Sequence, residues 1–129
     1  MKKTIMMILA GMLFVACQES LEDRCQREAK EFTEKKCPAV VDQFTIMDSI
    51  TFDRATKTVH SYYSLRGTAD TVGVLNDGNA RSALVDELKR NTNNKVYKDA
   101  KFQFSYTYYS ARRKGLVLYE AHLTPKDYE

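Results

Sequence analysis

Apolar and polar positions alternate along the chain with two periods, one typical of helices and one typical of strands. The first helical stretch repeats apolar residues every three or four positions: Leu21, Cys25, Ala29 and Phe32. This spacing predicts an amphipathic helix over 21–36. Pro38 ends it, because a residue that precedes proline is disfavoured in the helical region. A second amphipathic helix is predicted over 79–91, with Ala80, Leu84 and Leu88 on one stripe.

Four other stretches alternate with period two and are bounded by turn residues, which predicts strands. They span 43–52, 58–65, 100–110 and 116–123. The order of elements is therefore helix, hairpin, helix, hairpin. We predict an α+β fold (αββαββ) with a four-stranded antiparallel sheet and both helices on one face, because each amphipathic helix needs an apolar surface to cover.

Asp48 interrupts the apolar face of the first predicted strand. An unpaired charge on a buried face is costly, so we expect either a β-bulge that re-aims this side chain or a position near a sheet edge. A catalytic carboxylate at this position is the alternative interpretation.

The N-terminus has the three parts of an export signal: the charged Lys2 and Lys3, the apolar run Ile5–Val15, and the small residue Ala16 before Cys17. The apolar run is shorter than the roughly 20 residues of a membrane-spanning helix. The tetrad Phe14-Val15-Ala16-Cys17 resembles the bacterial lipobox, with phenylalanine where leucine is usual. The resemblance implies a cleaved signal peptide over 1–16, a lipid on Cys17, a tether over 17–20 and one domain over 21–129.

The same resemblance predicts the location of the protein. In Gram-negative lipoproteins an aspartate after the lipid-modified cysteine favours retention in the inner membrane, and this chain has Gln18 there. We therefore expect attachment to the outer membrane through the lipid on Cys17. The αββαββ pattern is similar to that of small bacterial envelope lipoproteins, which implies a fold but no activity.

Charge argues against a nucleic acid partner. The chain has 20 Lys and Arg against 17 Asp and Glu, a net charge of +3. Loss of Lys2 and Lys3 with the signal brings the mature protein close to neutrality. Without a basic stripe, no electrostatic footprint for nucleic acid exists.

Two cysteines besides Cys17 remain, Cys25 and Cys37. The bacterial envelope permits disulfides. Along a continuous helix, however, twelve residues span about 18 Å, and a disulfide needs Cα atoms within about 7 Å. Three alternatives follow: a bent segment with an intramolecular bond, two free thiols, or cross-chain bonds in a symmetric homodimer.

The chain carries no recognisable catalytic motif. His60 and His122 are its only histidines. No serine lies in a Gly-x-Ser-x-Gly elbow, and no glycine-rich phosphate loop or dinucleotide fingerprint occurs. No metal site or cofactor is predicted. We expect a non-enzymatic interaction or binding module; the alternative is a small hydrolase or carbohydrate-active domain built on Asp48, Glu120 and the two histidines.

Eight tyrosines and no tryptophan are the strongest compositional signal. Tyrosine favours strands and also favours interfaces, where its amphipathic ring gives a large contact area. Most of these rings are expected in the core and at its rim. The functional alternative places Tyr63, Tyr108 or Tyr109 on an exposed sheet face that binds a protein or glycan partner.

Overall fold

A computed structural model describes residues 19–129. The predicted signal peptide over 1–16, the lipid-attachment residue Cys17 and Gln18 lie outside the described residues. The α-helices and strands are α1 (Leu21–Lys36), β1 (Ala39–Asp42), β2 (Thr45–Asp53), β3 (Thr58–Leu65), α2 (Ser82–Arg90), α3 (Lys95–Asp99), β4 (Gln103–Ser110), β5 (Val117–Leu123) and α4 (Pro125–Tyr128). A π-helical turn, Asp77–Arg81, leads directly into α2.

The strands form one five-stranded sheet in the order β1-β2-β3-β4-β5. The α+β class and the helix–hairpin order of the elements are confirmed. The four-stranded, purely antiparallel sheet is corrected in two respects: a fifth strand is present, and β3 pairs with β4 in parallel. The parallel pair arises because the chain between β3 and β4 crosses over the sheet through α2 and α3 before β4 begins.

The additional strand, β1, pairs with the first residues of β2. It has only four residues, too few to show an alternating pattern. Val40 and Val41 are β-branched residues that favour strands, and they are the signal that could have revealed it. Both are exposed, Val40 at 70% and Val41 at 55%.

A β-bulge interrupts the pairing of β2 with β3 between Met47 and Ser49, which confirms the bulge expected at Asp48. The extra residue shifts the alternation of side chains along the strand. Met47 consequently lies on the same face as Ile50, where the unbroken pattern predicts opposite faces. The carboxylate of Asp48 accepts a hydrogen bond from the Ser64 hydroxyl at 2.5 Å.

Local hydrogen bonds fix both the start of α1 and its position on the sheet. Ser20 caps the helix, and its hydroxyl accepts a hydrogen bond from the Asp23 amide. Near the other end, the Thr33 hydroxyl accepts from the Ile50 amide and donates to the Ile50 carbonyl, both at 2.9 Å. Because β1 pairs only with the start of β2, the outer edge of β2 lacks a strand partner beyond Met47. The Thr33 hydroxyl takes the place of that partner for the backbone groups of Ile50.

The core lies between the helices and one face of the sheet. Its main cluster of buried residues comprises Cys25, Leu88, Tyr97, Phe102, Phe104, Leu123 and Tyr128. All four helices contribute to this cluster, so they cover the same face, as predicted for the two long ones. The opposite face of the sheet is open. None of the helices within residues 19–129 is both long enough and apolar enough to span a bilayer.

Cys25 and Cys37 are free thiols in the structure. Helix α1 is continuous over Leu21–Lys36, and Cys37 directly follows it. An intramolecular disulfide between them is therefore incompatible with this fold, because the unbroken helix holds the two Cα atoms far beyond disulfide range. Cys25 is 3% exposed within the core. Burial raises the pKa of its thiol to about 12.

Candidate functional site: an apolar groove between the helices

An open groove of about 620 Å³ lies on the helix-covered face of the sheet. Its floor is formed by β2, β3 and β4. Phe32 of α1 borders one side, and Leu84 and Glu87 of α2 border the other. The groove arises because the two long helices do not meet above the centre of the sheet. Its volume is in the ~300–1,000 Å³ range of ligand pockets.

Three tyrosines line the floor: Tyr63 from β3, and Tyr106 and Tyr108 from β4. Tyr63 and Tyr108 lie opposite each other in the parallel register. Their rings stack with centroids 4.6 Å apart and an interplanar angle of 11°. Tyr119 of β5 continues the row, with its ring centroid 6.2 Å from that of Tyr108. The floor is therefore an aromatic surface that carries hydroxyl groups.

Aliphatic side chains complete the groove. They come from the sheet, the β1–β2 segment and the loop before α2: Val41, Met47, Ile50, Val59, Leu65, Val74 and Leu75. Phe44 also lines the groove, next to the left-handed turn at Gly67, where an added Cβ would lie 3.5 Å from the Phe44 ring. Such an open apolar groove is typical of a surface that binds another molecule.

The tyrosine hydroxyls of the groove remain protonated at neutral pH. Burial, followed by the nearby carboxylate of Glu87 and the Cys37 thiol, raises the pKa of Tyr63 to about 12. Burial, followed by the neighbouring tyrosines and then Glu87, raises the pKa of Tyr108. The pKa of Tyr106 rises for the same kinds of reason. These rings can therefore donate hydrogen bonds from the groove floor.

The three tyrosines proposed from the sequence do not share a face. Tyr63 and Tyr108 lie on the helix-covered face, in the groove. Tyr109 lies on the open face, where its ring stacks with that of Tyr62 at a centroid distance of 6.4 Å. A single binding patch on the open face is therefore not formed by these residues. The groove brings Tyr63 and Tyr108 together with Tyr106 instead.

The histidines lie in a polar row across the open face. His60, Ser105 and His122 are opposite one another on β3, β4 and β5. The Ser105 hydroxyl is 2.5 Å from Nδ1 of His122, whose Nε2 lies 2.5 Å from Oε1 of Gln103. Nε2 of His60 is 2.7 Å from the Thr107 hydroxyl. Burial lowers the pKa of His60, and the nearby carboxylate of Glu120 partly offsets this effect.

This row lacks the features of a hydrolase. Gln103, not a buried carboxylate, orients His122. Ser105 lies within a paired strand whose neighbours on both sides occupy the backbone donors, which leaves no oxyanion hole beside it. Asp48 is bonded to Ser64 and is not part of the row. Within residues 19–129, no group of three or more acidic, histidine or cysteine side chains could hold a metal ion.

A buried carboxylate holds the loop that follows β3 to the turn between β4 and β5. Asp70 is 4% exposed. Oδ2 of Asp70 accepts two hydrogen bonds from Arg112, one from the backbone amide at 3.0 Å and one from the side-chain Nε at 3.2 Å. Hydrogen bonding by Ser110, and then by Arg112, lowers the pKa of Asp70. This contact fixes the start of the connection that carries Val74 and Leu75 to the groove.

Comparison with protein families places most of the chain in one of them. Residues 20–119 match the domain of unknown function DUF8479. The chain belongs to this family. A comparison with curated proteins gives no significant match.

Solved structures of similar fold include a bacterial secreted protein and two pilotins of type II secretion systems. The chain is similar to the Pseudomonas aeruginosa protein PA3611, described as a secreted protein, with a TM-score of 0.65 and 13% identity over 87% of this chain and 100% of that chain. It is also similar to the type II secretion system pilotin AspS of Vibrio cholerae. The TM-score is 0.61 at 13% identity, and the match covers 83% of this chain and 91% of AspS. A third similar structure is EpsS, the pilotin of the Vibrio vulnificus type 2 secretion system. The TM-score is 0.65 at 13% identity, and the match covers 84% of this chain and 92% of EpsS. At this identity, the likeness establishes a shared fold.

Sequence reasoning did not find the groove. The tyrosine content pointed to a binding surface, and two of the three proposed tyrosines lie in it. Glu87 and Leu84 carry no signal of their own, because they look like the ordinary polar and apolar positions of an amphipathic helix. Only the crossover that places α2 above β4 brings them to Tyr106 and Tyr108.

Proposed function

We propose that this protein is a non-enzymatic, lipid-anchored protein of the bacterial outer membrane that binds an apolar segment of another envelope protein. The groove is the observation that carries the proposal. It exposes apolar and aromatic side chains that a monomeric protein would otherwise bury. The protein's likeness in fold to pilotins supports a partner that belongs to a protein assembly of the envelope.

The groove offers a partner both apolar contact and directional hydrogen bonds. Its polar and apolar groups are arranged as in protein-binding surfaces, where aromatic rings give large contact areas and their hydroxyls fix the register of the partner. Val41 stands at the exposed edge of the groove, and Phe32 borders it from α1. A segment that lies across these residues covers surface from both helices and the sheet.

The expected lipid on Cys17 supports an orientation of the groove. Only Gln18 separates Cys17 from Glu19. Glu19 pairs with Arg27, with 2.5 Å between Oε1 and Nη2, and Ser20 caps α1. A lipid on Cys17 therefore holds the N-terminal end of α1 near the membrane. The groove contacts α1 through Phe32, which lies about 16 Å along the helix from that end, so we expect the groove to be held at a distance from the membrane.

Site-specific photo-cross-linking in living cells tests the groove. A photoreactive phenylalanine analogue replaces Val41 at the edge of the groove or, as the control, Val117 on the other edge strand. The two valines are 55% and 41% exposed. We expect a protein adduct from position 41 only. Phe32→Ser should weaken that adduct and Phe32→Leu should preserve it. Equal adducts from positions 41 and 117, or none from either, would contradict the proposal.

Metabolic labelling tests the anchor. Cells that express the full chain are grown with an alkyne analogue of palmitate, which is then coupled to a fluorophore. We expect label on the wild-type protein and none on Cys17→Ser, with Cys25→Ser labelled like the wild type. Label that persists on Cys17→Ser would refute the lipid anchor. It would leave the groove proposal to be judged by the cross-linking result.

A further inference from the structure

The acidic and basic residues that line the groove are of one kind. Among the described lining residues they are Asp42 and Glu87, and none is a lysine or arginine. The chain as a whole is close to neutral once Lys2 and Lys3 leave with the predicted signal, so this acidic lining does not reflect the overall charge. An acidic edge makes the groove complementary to a positively charged partner.

Glu87 is placed to act on whatever enters the groove. It lies on α2 between Leu84 and Leu88, which also line the groove. Its carboxylate takes part in none of the ion pairs among residues 19–129, whereas Glu28 on α1 pairs with Arg24 at 2.8 Å. Its charge nonetheless acts on three tyrosines, since it is among the causes that raise the pKa values of Tyr63, Tyr106 and Tyr108.

A bound apolar segment would remove water from the side of Glu87 that faces the groove. A carboxylate that loses water without gaining a partner costs free energy, and a positive charge at hydrogen-bond distance compensates for this cost. Glu87 therefore favours a cationic side chain among apolar ones.

We infer that the groove recognises a peptide segment whose apolar residues flank a lysine or arginine, and that Glu87 pairs with this cation. The inference rests on the proposed function, since it requires that a protein segment occupies the groove. Glu87 then selects among apolar segments and rejects those that carry a carboxylate at the same point.

Peptide selection tests this inference with a defined probe. A phage-displayed library of random dodecapeptides is selected on the immobilised full chain bearing Cys17→Ser. We expect enrichment of peptides in which apolar residues surround a lysine or arginine. A second selection on Glu87→Gln should lose the enrichment of the basic residue. Selection on Asp86→Asn, which changes an exposed acid on the same helix outside the groove, should retain it.

Calorimetry on one selected peptide completes the test. Glu87→Gln should weaken binding about five- to tenfold, as expected for a partly desolvated charge pair. Replacing the basic residue of the peptide with norleucine should weaken binding to the wild type by a similar factor and should not weaken binding to Glu87→Gln further. Asp86→Asn should bind as the wild type does.

The outcomes separate the inference from the function it rests on. Peptides that bind in a way that depends on Phe32, but carry no basic residue and ignore Glu87→Gln, overturn the cation pairing and leave the groove function standing. If no peptide is enriched, or if enriched peptides bind Phe32→Ser and Phe32→Leu equally, the groove function fails and the inference fails with it.

Discussion

Tyr63 and Tyr108 lie directly opposite each other across the parallel strands β3 and β4, and their rings stack with centroids 4.6 Å apart. The pair joins the two hairpins of the chain at the floor of the groove. Each ring of this stack comes from a different hairpin, although Tyr108 also packs against Tyr119 of its own hairpin. The stack therefore depends on the crossover between the hairpins, and the groove floor is a product of the parallel pairing.

A double-mutant cycle should measure this stack. We expect Tyr63→Leu and Tyr108→Leu each to lower the free energy of unfolding, and the double variant to lose less than the sum by about 0.5–1.5 kcal/mol. Urea unfolding of the four proteins gives the coupling. The matched control is the diagonal pair Tyr62 and Tyr109 on the same strands, 6.4 Å apart. The control rings are farther apart, so their coupling should be smaller, and a Tyr63–Tyr108 coupling of zero would show that the stack adds nothing beyond burial.

Thr33→Val should test how α1 is held on the sheet. The variant keeps the shape of the side chain but removes the hydroxyl that bonds both the amide and the carbonyl of Ile50. We expect a loss of about 1–3 kcal/mol in the free energy of unfolding, because two part-buried backbone groups lose their partner. Faster hydrogen exchange of the Ile50 amide should accompany it.

The control for this change is Thr51→Val, at an exposed position next along β2. It should leave both measurements near the wild-type values. The assignment of Thr33 as the link would be wrong if both substitutions had the same effect.

The stabilisation that Asp70 gives the fold should be lost in acid. Because hydrogen bonds from Ser110 and Arg112 lower its pKa in the folded state, the contact stabilises the fold at pH values above the ordinary aspartate pKa of about 3.9. The stabilisation is lost as the pH falls through the lowered folded-state pKa. We expect Asp70→Asn to lower the Tm at pH 7, and the difference from wild type to shrink below about pH 4.

Thermal unfolding monitored by circular dichroism from pH 7 to pH 2 checks this dependence. Asp86→Asn, at an exposed position of α2, serves as the control and should follow the wild-type curve. A constant difference between Asp70→Asn and wild type at every pH would show that Asp70 acts through packing rather than through its charge.

The two cysteines should behave as free thiols of unequal reactivity. Burial raises the pKa of Cys25 to about 12 and also raises that of the less buried Cys37. Since the thiolate is the reactive form, we expect Ellman's reagent to modify Cys37 slowly and Cys25 hardly at all in the folded Cys17→Ser protein at pH 8. Both should react at once in guanidinium chloride without reductant.

Intact mass before and after reduction provides the second measurement. We expect no change in mass and a single band on a non-reducing gel. A mass that rises on reduction would mean an intramolecular bond. A dimer band that reductant removes would mean the cross-chain bond of a homodimer.

The two long helices and the strands that form the two hairpins were predictable because their signals are local. Leu21, Cys25 and Ala29 carry the period of α1 within one stretch of chain, and Pro38 marks its end. The bulge was predictable for a similar reason: Asp48 stands where a buried face cannot hold a bare carboxylate. Strand β1 was missed because four residues are too few to show a period.

The candidate site was predictable only in part. The tyrosines pointed to a binding surface, but the face that each occupies depends on register. The bulge in β2 and the parallel register of β3 with β4 place Tyr63 and Tyr108 beneath the helices. Glu87 gave no signal in the sequence, because it reaches the groove only through the packing of α2 against the sheet.

The sequence by itself determined the class of the fold, its main helices and hairpins, and the expectation of a lipid on Cys17, because each rests on residues that are neighbours in the chain. Tertiary structure alone decided that the hairpins join in parallel and that a groove opens over Tyr63, Tyr106 and Tyr108. These features depend on contacts between residues far apart in the chain, which no local period encodes.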